Sequence, residues 1–277
     1  MVATRGRPRA LAECLGALSK LQPPPGGFEV IVVHDGDPAG NGTAPSGLRI
    51  RHLVQNHLGP ARARNAGARI AEGRFLVFTD DDCVPARDWL VRLARRLAEA
   101  PGRAVAGRTA NGLPENTYAV TSQLLVDYLN VYYNHDPDHA RFATANNLAL
   151  PRELFEAIGG FDARYLLNAA EDRDLSYRLS RRGSLVFAPD AVIYHSHRLT
   201  LLRFLGQHFR YGRGAFHFHA LHRSRPRLEP LAFYRDLARF PRDAGPSESR
   251  STSLLLVVTQ LATATGYVYE FLRPRRR

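Results

Sequence analysis

Lysine is almost missing from this chain: Lys20 is the only one among 38 Lys and Arg residues, against 26 Asp and Glu. The formal charge of +12 is therefore an arginine charge. A coding bias produces the same composition, so a single Arg is not by itself a sign of binding. The surplus still draws anions, whether nucleotide phosphates, anionic lipid or nucleic acid. Cysteine is scarce as well. Cys14 and Cys83 make no disulfide framework and no metal-ligand pattern, and point to a reduced, cytoplasmic setting. No internal repeat is visible, which argues against a solenoid. No long apolar run follows the basic residues near the start, so no secretory leader is expected.

What is present is an ordinary apolar fraction, 44% of 277 residues, enough for one large domain or a domain with an appendage. The chain is organised around Phe75-Leu76-Val77-Phe78-Thr79-Asp80-Asp81-Asp82-Cys83. Its apolar half reads as a strand buried on both faces, as in a parallel sheet. Its three carboxylates fall at the strand's C-terminal end, where open α/β sheets place ligands. Three adjacent acids repel one another and call for a cation. If the chain stays extended, Asp80 and Asp82 point the same way.

Around that stretch, strand and helix alternate through the first hundred residues, the pattern of a mostly parallel sheet. Val2–Thr4 reads as the end of a strand, and its shortness suggests a true start further upstream. Helix follows from Pro8, strand over 28–33, exposed or edge strand over 48–54, and helix over 61–71. Later come helix over 89–100, strand over 104–107, helix near 117–133, strand over 143–150 and helix over 151–158. Short strands are expected at 186–188 and 192–194, and a basic aromatic helix at 198–222. Residues 226–248 read as a charged, proline-containing connector, and 254–272 as a mostly apolar helix. The domain expectation is one main segment 1–222 in two halves, near 1–110 and near 111–222. Residues 223–277 would then be connector and terminal helix.

Three acidic segments recur at element ends: Asp35, Asp80 to Asp82, and Glu171-Asp172. An enzyme with a nucleoside-diphosphate donor needs a polar contact for the nucleoside, a metal for the departing diphosphate and a base for the acceptor. The ordered set Ala3-Thr4-Arg5-Gly6-Arg7-Pro8, Val32-Val33-His34-Asp35-Gly36, Gly59-Pro60-Ala61-Arg62-Ala63-Arg64-Asn65-Ala66-Gly67, Asp80-Asp81-Asp82, Gly159-Gly160-Phe161-Asp162 and Glu171-Asp172-Arg173-Asp174-Leu175 resembles family-2 glycosyltransferases of the GT-A fold. The resemblance covers about residues 1–220. It implies an α/β, mostly parallel central sheet flanked by helices with a C-terminal helical extension. It also implies an inverting transfer of sugar from a nucleotide-diphosphate sugar to an acceptor hydroxyl, assisted by Mg²⁺ or Mn²⁺.

Carried onto this sequence, the resemblance makes Asp172 the general base and Glu171 its partner. Thr4, Arg5, Asp35, Arg62, Asn65, Asp80 and Asp81 would meet the nucleotide, with Asp80 on the ribose. Asp82 and His195 would hold the metal. Asn147, Gly160 and Arg210 would meet a saccharide or lipid-linked acceptor. His34 departs from the family, in which an Asp commonly stands at this place. Gln207 to Tyr211 resembles a Gln-x-x-Arg-Trp motif of processive synthases, or else is one face of an amphipathic helix. A nucleotidyltransferase and a basic nucleic-acid-binding protein remain the alternatives. The last helix is expected to lie in a membrane interface rather than span it, with the protein peripheral on the inner face. Thr259, Gln260, Thr263 and Gly266 interrupt the apolar run, and Tyr267, Tyr269 and Phe271 cluster beside the terminal arginines.

Overall fold

The parity of side chains along each strand builds the two cores of the sheet. On β2 (Val30–Asp35), Val30 and Val32 join one apolar cluster, while Ile31 and Val33 join another on the opposite face. On β6 (Ala104–Asn111), Val105 faces the first side and Ala104 and Ala106 the second. On β8 (Leu185–His195), Val186 and Ala188 face the first side, with Leu185 and Phe187 on the second. Helices α1 (Pro8–Leu18) and α3 (Trp89–Glu99) cover the first face through Leu15, Leu18, Trp89, Leu93 and Leu97. Helices α2 (Pro60–Ile70), α5 (Arg152–Ala157) and α6 (Glu171–Ser180) supply Ala61, Phe155, Leu175 and Leu179 to the other. Helices on both faces of one sheet form the three-layer α/β arrangement that the strand–helix alternation predicts.

This computed structural model describes residues 1–36, 45, 47–165, 169–222, 229–244 and 249–273. With β1 (Val2–Thr4), β3 (Ile50–Gln55), β4 (Phe75–Asp80), β5 (Cys83–Pro85) and β7 (Leu148–Pro151), the eight strands lie in the order β3-β2-β1-β4-β7-β6-β8-β5. The first four are parallel, β7 runs against both β4 and β6, and β5 runs against β8. The stub β1 is thus central, and β3 is the edge strand its alternating pattern announces.

Several expectations are corrected. Strand β4 is buried on both faces only in part, since Phe75 is 41% exposed, and its neighbour β7 is antiparallel. Strand at 143–150 shrinks to β7, because residues 144–147 form a turn in which the Asn147 N–H donates to the Thr144 carbonyl. The two short strands at 186–188 and 192–194 are one, β8, with a register shift opposite Gly107 and Arg108 where residues 189–191 are passed over. β6 continues to Asn111 alongside it. Within the expected connector, Leu231–Ala244 is helix α8 and includes Pro241.

By contacts the chain divides into two units. The first, Met1–Gly112 with Tyr132–Leu166 and Glu171–Ser196, holds the whole sheet. The second groups residues 113–131 and 197–222, which the sequence placed in the main segment, with the C-terminal helices. In that unit α4 (Thr117–Tyr133) contributes Tyr128, whose hydroxyl donates to the Phe233 carbonyl at 2.8 Å beside Leu237 and Leu256. Helices α7 (Leu201–Leu221) and α9 (Ser249–Leu272) meet backbone to backbone. A methyl group on Gly212 would fall on the Thr263 carbonyl, and one on Gly266 on the Phe209 carbonyl. Arg213 closes the same pair on Glu270 at 2.5 Å.

Candidate active site

The end of β4 is where the acids gather, but not in one extended line. The chain turns at Asp81 and Asp82 before entering β5, so the three carboxylates take three directions and the shared orientation of Asp80 and Asp82 is corrected. Two arginines serve them, Arg64 for Asp80 and Arg7 for both Asp81 and Asp82. Asp80 accepts from Arg64 Nη2 at 2.8 Å. Asp81 is fully enclosed, accepts from the Thr4 hydroxyl at 2.6 Å and pairs with Arg7 at 2.5 Å. Burial pushes its carboxyl up to about 6, although Arg7 and Thr4 pull the other way. Asp82 pairs with Arg7 Nη1 at 2.6 Å through one oxygen and lies 3.2 Å from His195 Nε2 through the other.

Strand pairing explains that last contact. β5 lies against β8 with Cys83 opposite His195, and the Ser196 N–H donates to the Asp82 carbonyl at 2.8 Å. Cys83 Sγ lies in the same cluster of ligand atoms as Asp82 and His195. Burial pushes its thiol well up, so it stays protonated and a poor ligand. The carboxylate and imidazole fit a divalent ion. Their donor atoms stand 3.2 Å apart, and a carboxylate oxygen with an imidazole nitrogen is a donor set that would hold such an ion.

The acceptor-side acids open α6. Glu171 is buried, and its Oε1 accepts from Arg64 Nη1 at 3.1 Å, while Oε2 has no hydrogen-bond partner among the described residues. Burial and the neighbouring Asp172 charge push Glu171 up to about 7. Asp172 is half-buried and accepts from the Arg173 N–H at 2.7 Å. Burial pushes it up too, against the Arg173 N–H and Arg64, with Asp80 adding to the rise.

Arg64 is the residue the sequence reading passed over in favour of Arg62. Arg62 is exposed, whereas Arg64 is 6% exposed with Phe161's ring 5.4 Å away. The signal was the helical period: Ala61, Arg64 and Ala68 share the inner face of α2. Asn65 and Gly160, expected on opposite substrates, touch each other instead. Asn65 donates to the Phe161 carbonyl at 2.7 Å and accepts the Phe161 N–H at 3.0 Å. A Cβ on Gly160 (φ +66°) would press on Asn65. Asn147 is also relocated. It is fully buried, accepts from the Trp89 indole at 2.9 Å and donates to the carbonyls of Arg108 and Ala191.

Asp35 is buried under four donors: Gln55 Nε2, His57 Nδ1, and the N–H groups of Leu58 and Gly59, at 2.8 to 3.0 Å. Burial alone would raise its carboxyl, yet these donors hold it below the usual range. His34 turns to the neighbouring strand, its ring 5.3 Å from that of His52. Arg5 is exposed, and Arg210 is exposed on α7 in the second unit.

The model of glycosyl transferase family 2 matches residues 1–159. The chain belongs to that family. Validoxylamine A glucosyltransferase of Streptomyces hygroscopicus subsp. limoneus is 28% identical over 216 residues, 66% of this family-2 chain. That match spans 48% of the relative's own length, so the chain covers about half of it. Among solved structures, the mannosyltransferase PcManGT of Pyrobaculum calidifontis, in complex with GDP-Man and Mn²⁺, superposes with a TM-score of 0.67 at 19% identity. It covers 98% of this chain and 86% of its own. S. aureus TarS 1-349 in complex with UDP-GlcNAc gives 0.59 at 20% identity, covering 97% and 78%. The GT-A expectation therefore holds for this family-2 chain: a curled, mostly parallel eight-stranded sheet flanked by helices, with helices at the C-terminal end.

Proposed function

We propose that this protein transfers a sugar from a nucleotide-diphosphate donor to an acceptor hydroxyl with inversion at the anomeric carbon. The observation that carries the reading is the guanidinium of Arg64, which touches both Asp80 and Glu171 and so ties the triplet at 80–82 to the acids at 171–172. Residues 1–222 are the catalytic segment in this reading, followed by a connector and apolar helix.

Asp172 takes the proton of the acceptor hydroxyl. The oxygen attacks the anomeric carbon on the face opposite the phosphate, the new C–O bond forms, and the bond to the diphosphate breaks. Glu171 sits beside the base and shapes its charge. Thr4 and Arg7 fix Asp81 and Asp82, and Asp80 would meet the ribose. Asp82 and His195 would hold a divalent ion, Mn²⁺ or Mg²⁺, which supplies charge stabilisation to a departing diphosphate. His195 must be neutral to ligate, whereas Asp82 raises its affinity for a proton against the lowering effect of burial. Ion loading is therefore favoured as pH rises. The relatives' glucosyl and mannosyl names support a hexose donor.

The acceptor is a saccharide or lipid-linked saccharide. Helix α9 supports a peripheral membrane setting: residues 251–272 are long and apolar enough to cross a bilayer, and Leu254, Val257, Leu261 and Val268 lie exposed along it at helical spacing. We read it as lying in the interface. Leu261→Glu should halve sedimentation with anionic liposomes or better, and unchanged sedimentation removes the membrane reading.

The central test is a thermal shift with UDP or GDP, with and without Mn²⁺, followed by EDTA. Metal-dependent stabilisation that EDTA reverses and Asp82→Asn abolishes is expected. A folded Asp82→Asn protein that keeps it sinks the metal assignment.

A further inference from the structure

The strongest unexplained feature of the site is one cation serving two acids from distant parts of the chain. Arg64 comes from α2, Asp80 from the end of β4 and Glu171 from the start of α6. Nη2 meets Asp80 at 2.8 Å and Nη1 meets Glu171 at 3.1 Å. The guanidinium is enclosed, its side chain 7% exposed, and Glu171's is 9% exposed, whereas Asp80's is 25% exposed. The triad is therefore open to solvent at the donor end and closed at the acceptor end.

We infer that Arg64 is a positioning residue that links donor binding to the charge on Glu171. This rests on the glycosyltransferase reading of the site above. Arg64 stands between two carboxylates and offsets the charge of both. A donor hydroxyl or cation engaging Asp80 compensates that carboxylate from outside. The negative potential that Asp80 sets up around the shared guanidinium is then reduced, and the ionised form of Glu171 is favoured. The charged groups facing Glu171 are its neighbour Asp172 and Arg64 from α2, and Asp80 stands on the other nitrogen of that guanidinium. Glu171 stands near its titration midpoint at neutral pH, so a modest change in field moves an appreciable fraction of a proton. Oε2, buried without a hydrogen-bond partner among the described residues, is the atom from which that proton leaves. Donor binding would thus ready the acid pair before the acceptor arrives.

The test is calorimetry of UDP or GDP binding with Mn²⁺ near pH 7, in two buffers of different ionisation enthalpy. The buffer dependence counts protons released on binding. Wild type should release on the order of half a proton more than Glu171→Gln, because a group at its midpoint holds about that much. Arg64→Lys, folded by its circular dichroism, should still bind nucleotide but lose most of the extra release, since an ammonium cannot fork to two acids. If Arg64→Lys fails to fold, Asp80→Asn removes the donor end of the triad and should abolish the extra release in its place. Equal release by wild type and Glu171→Gln overturns the link, as does full release by Arg64→Lys or Asp80→Asn. A wild type that binds neither nucleotide with any divalent ion instead overturns the donor-site reading beneath it.

Discussion

Asp35 and Glu171 are two carboxylates of the same unit, and almost equally buried, at 5% and 7% exposure. Burial pushes both toward the neutral form. Asp35 nevertheless falls below the usual range, because four donors converge on its two oxygens. Glu171 climbs to about 7, because one nitrogen of Arg64 must offset both burial and the charge of Asp172. Depth in the protein does not decide what a buried acid does. The number of donors it meets does. A carboxylate with every lone pair engaged holds its charge and ties down residues 55–59, and one left short of donors keeps its proton to higher pH.

The comparison breaks most visibly in catalysis. Asp172→Asn, beside the under-satisfied acid, should lower kcat by about 10²–10⁴-fold while nucleotide affinity changes little. Parallel loss of affinity in a binding titration would make Asp172 a donor contact instead. Asp35→Asn should act on stability, costing about 2–3 kcal/mol, because it turns one acceptor oxygen into a donor facing donors. Chemical denaturation reads that loss, and a change under about 0.5 kcal/mol would show the four bonds to be incidental.

A third effect has opposite signs for the two residues. Glu171 binds its proton more tightly folded than unfolded. The stability it contributes is complete below its ordinary value of 4.5 and is lost as pH rises toward about 7. Glu171→Gln should remove that decline, worth on the order of 1–3 kcal/mol between pH 5 and pH 8. Asp35 binds its proton less tightly folded, so its contribution is present above 3.8 and fades as pH falls through its lowered value. Denaturation at several pH values separates the two. Identical pH dependence in wild type and Glu171→Gln would return Glu171 to the ordinary range. The smallest effect belongs to Gln55→Leu, which removes one of four donors from Asp35 and should cost about 1 kcal/mol.

The strands were legible because their apolar residues alternate faces or fill both, a pattern carried by local order alone. The triplet at 80–82 was legible as a site, but not in its directions, because the turn into β5 follows from where β8 lies. Arg64 was hidden behind Arg62. The two are one residue type two places apart, and only the phase of α2 against the sheet separates a surface charge from a buried one. Asn147 was expected on the acceptor and is buried instead. Its partners, Trp89, Arg108 and Ala191, stand 58, 39 and 44 positions away. The charge of Glu171 was out of reach for the same reason, since it depends on Arg64, 107 positions distant.

The glycine contacts of the second unit bear on which changes of length this protein tolerates. Gly212 against Thr263 and Phe209 against Gly266 form an antiparallel pair of contacts in which each helix offers one glycine and one carbonyl. Adding a residue between Phe209 and Gly212, or between Thr263 and Gly266, would turn one contact about 100° away from the other. A side chain would then arrive where only a hydrogen fits. The stretches 209–212 and 263–266 therefore keep their length.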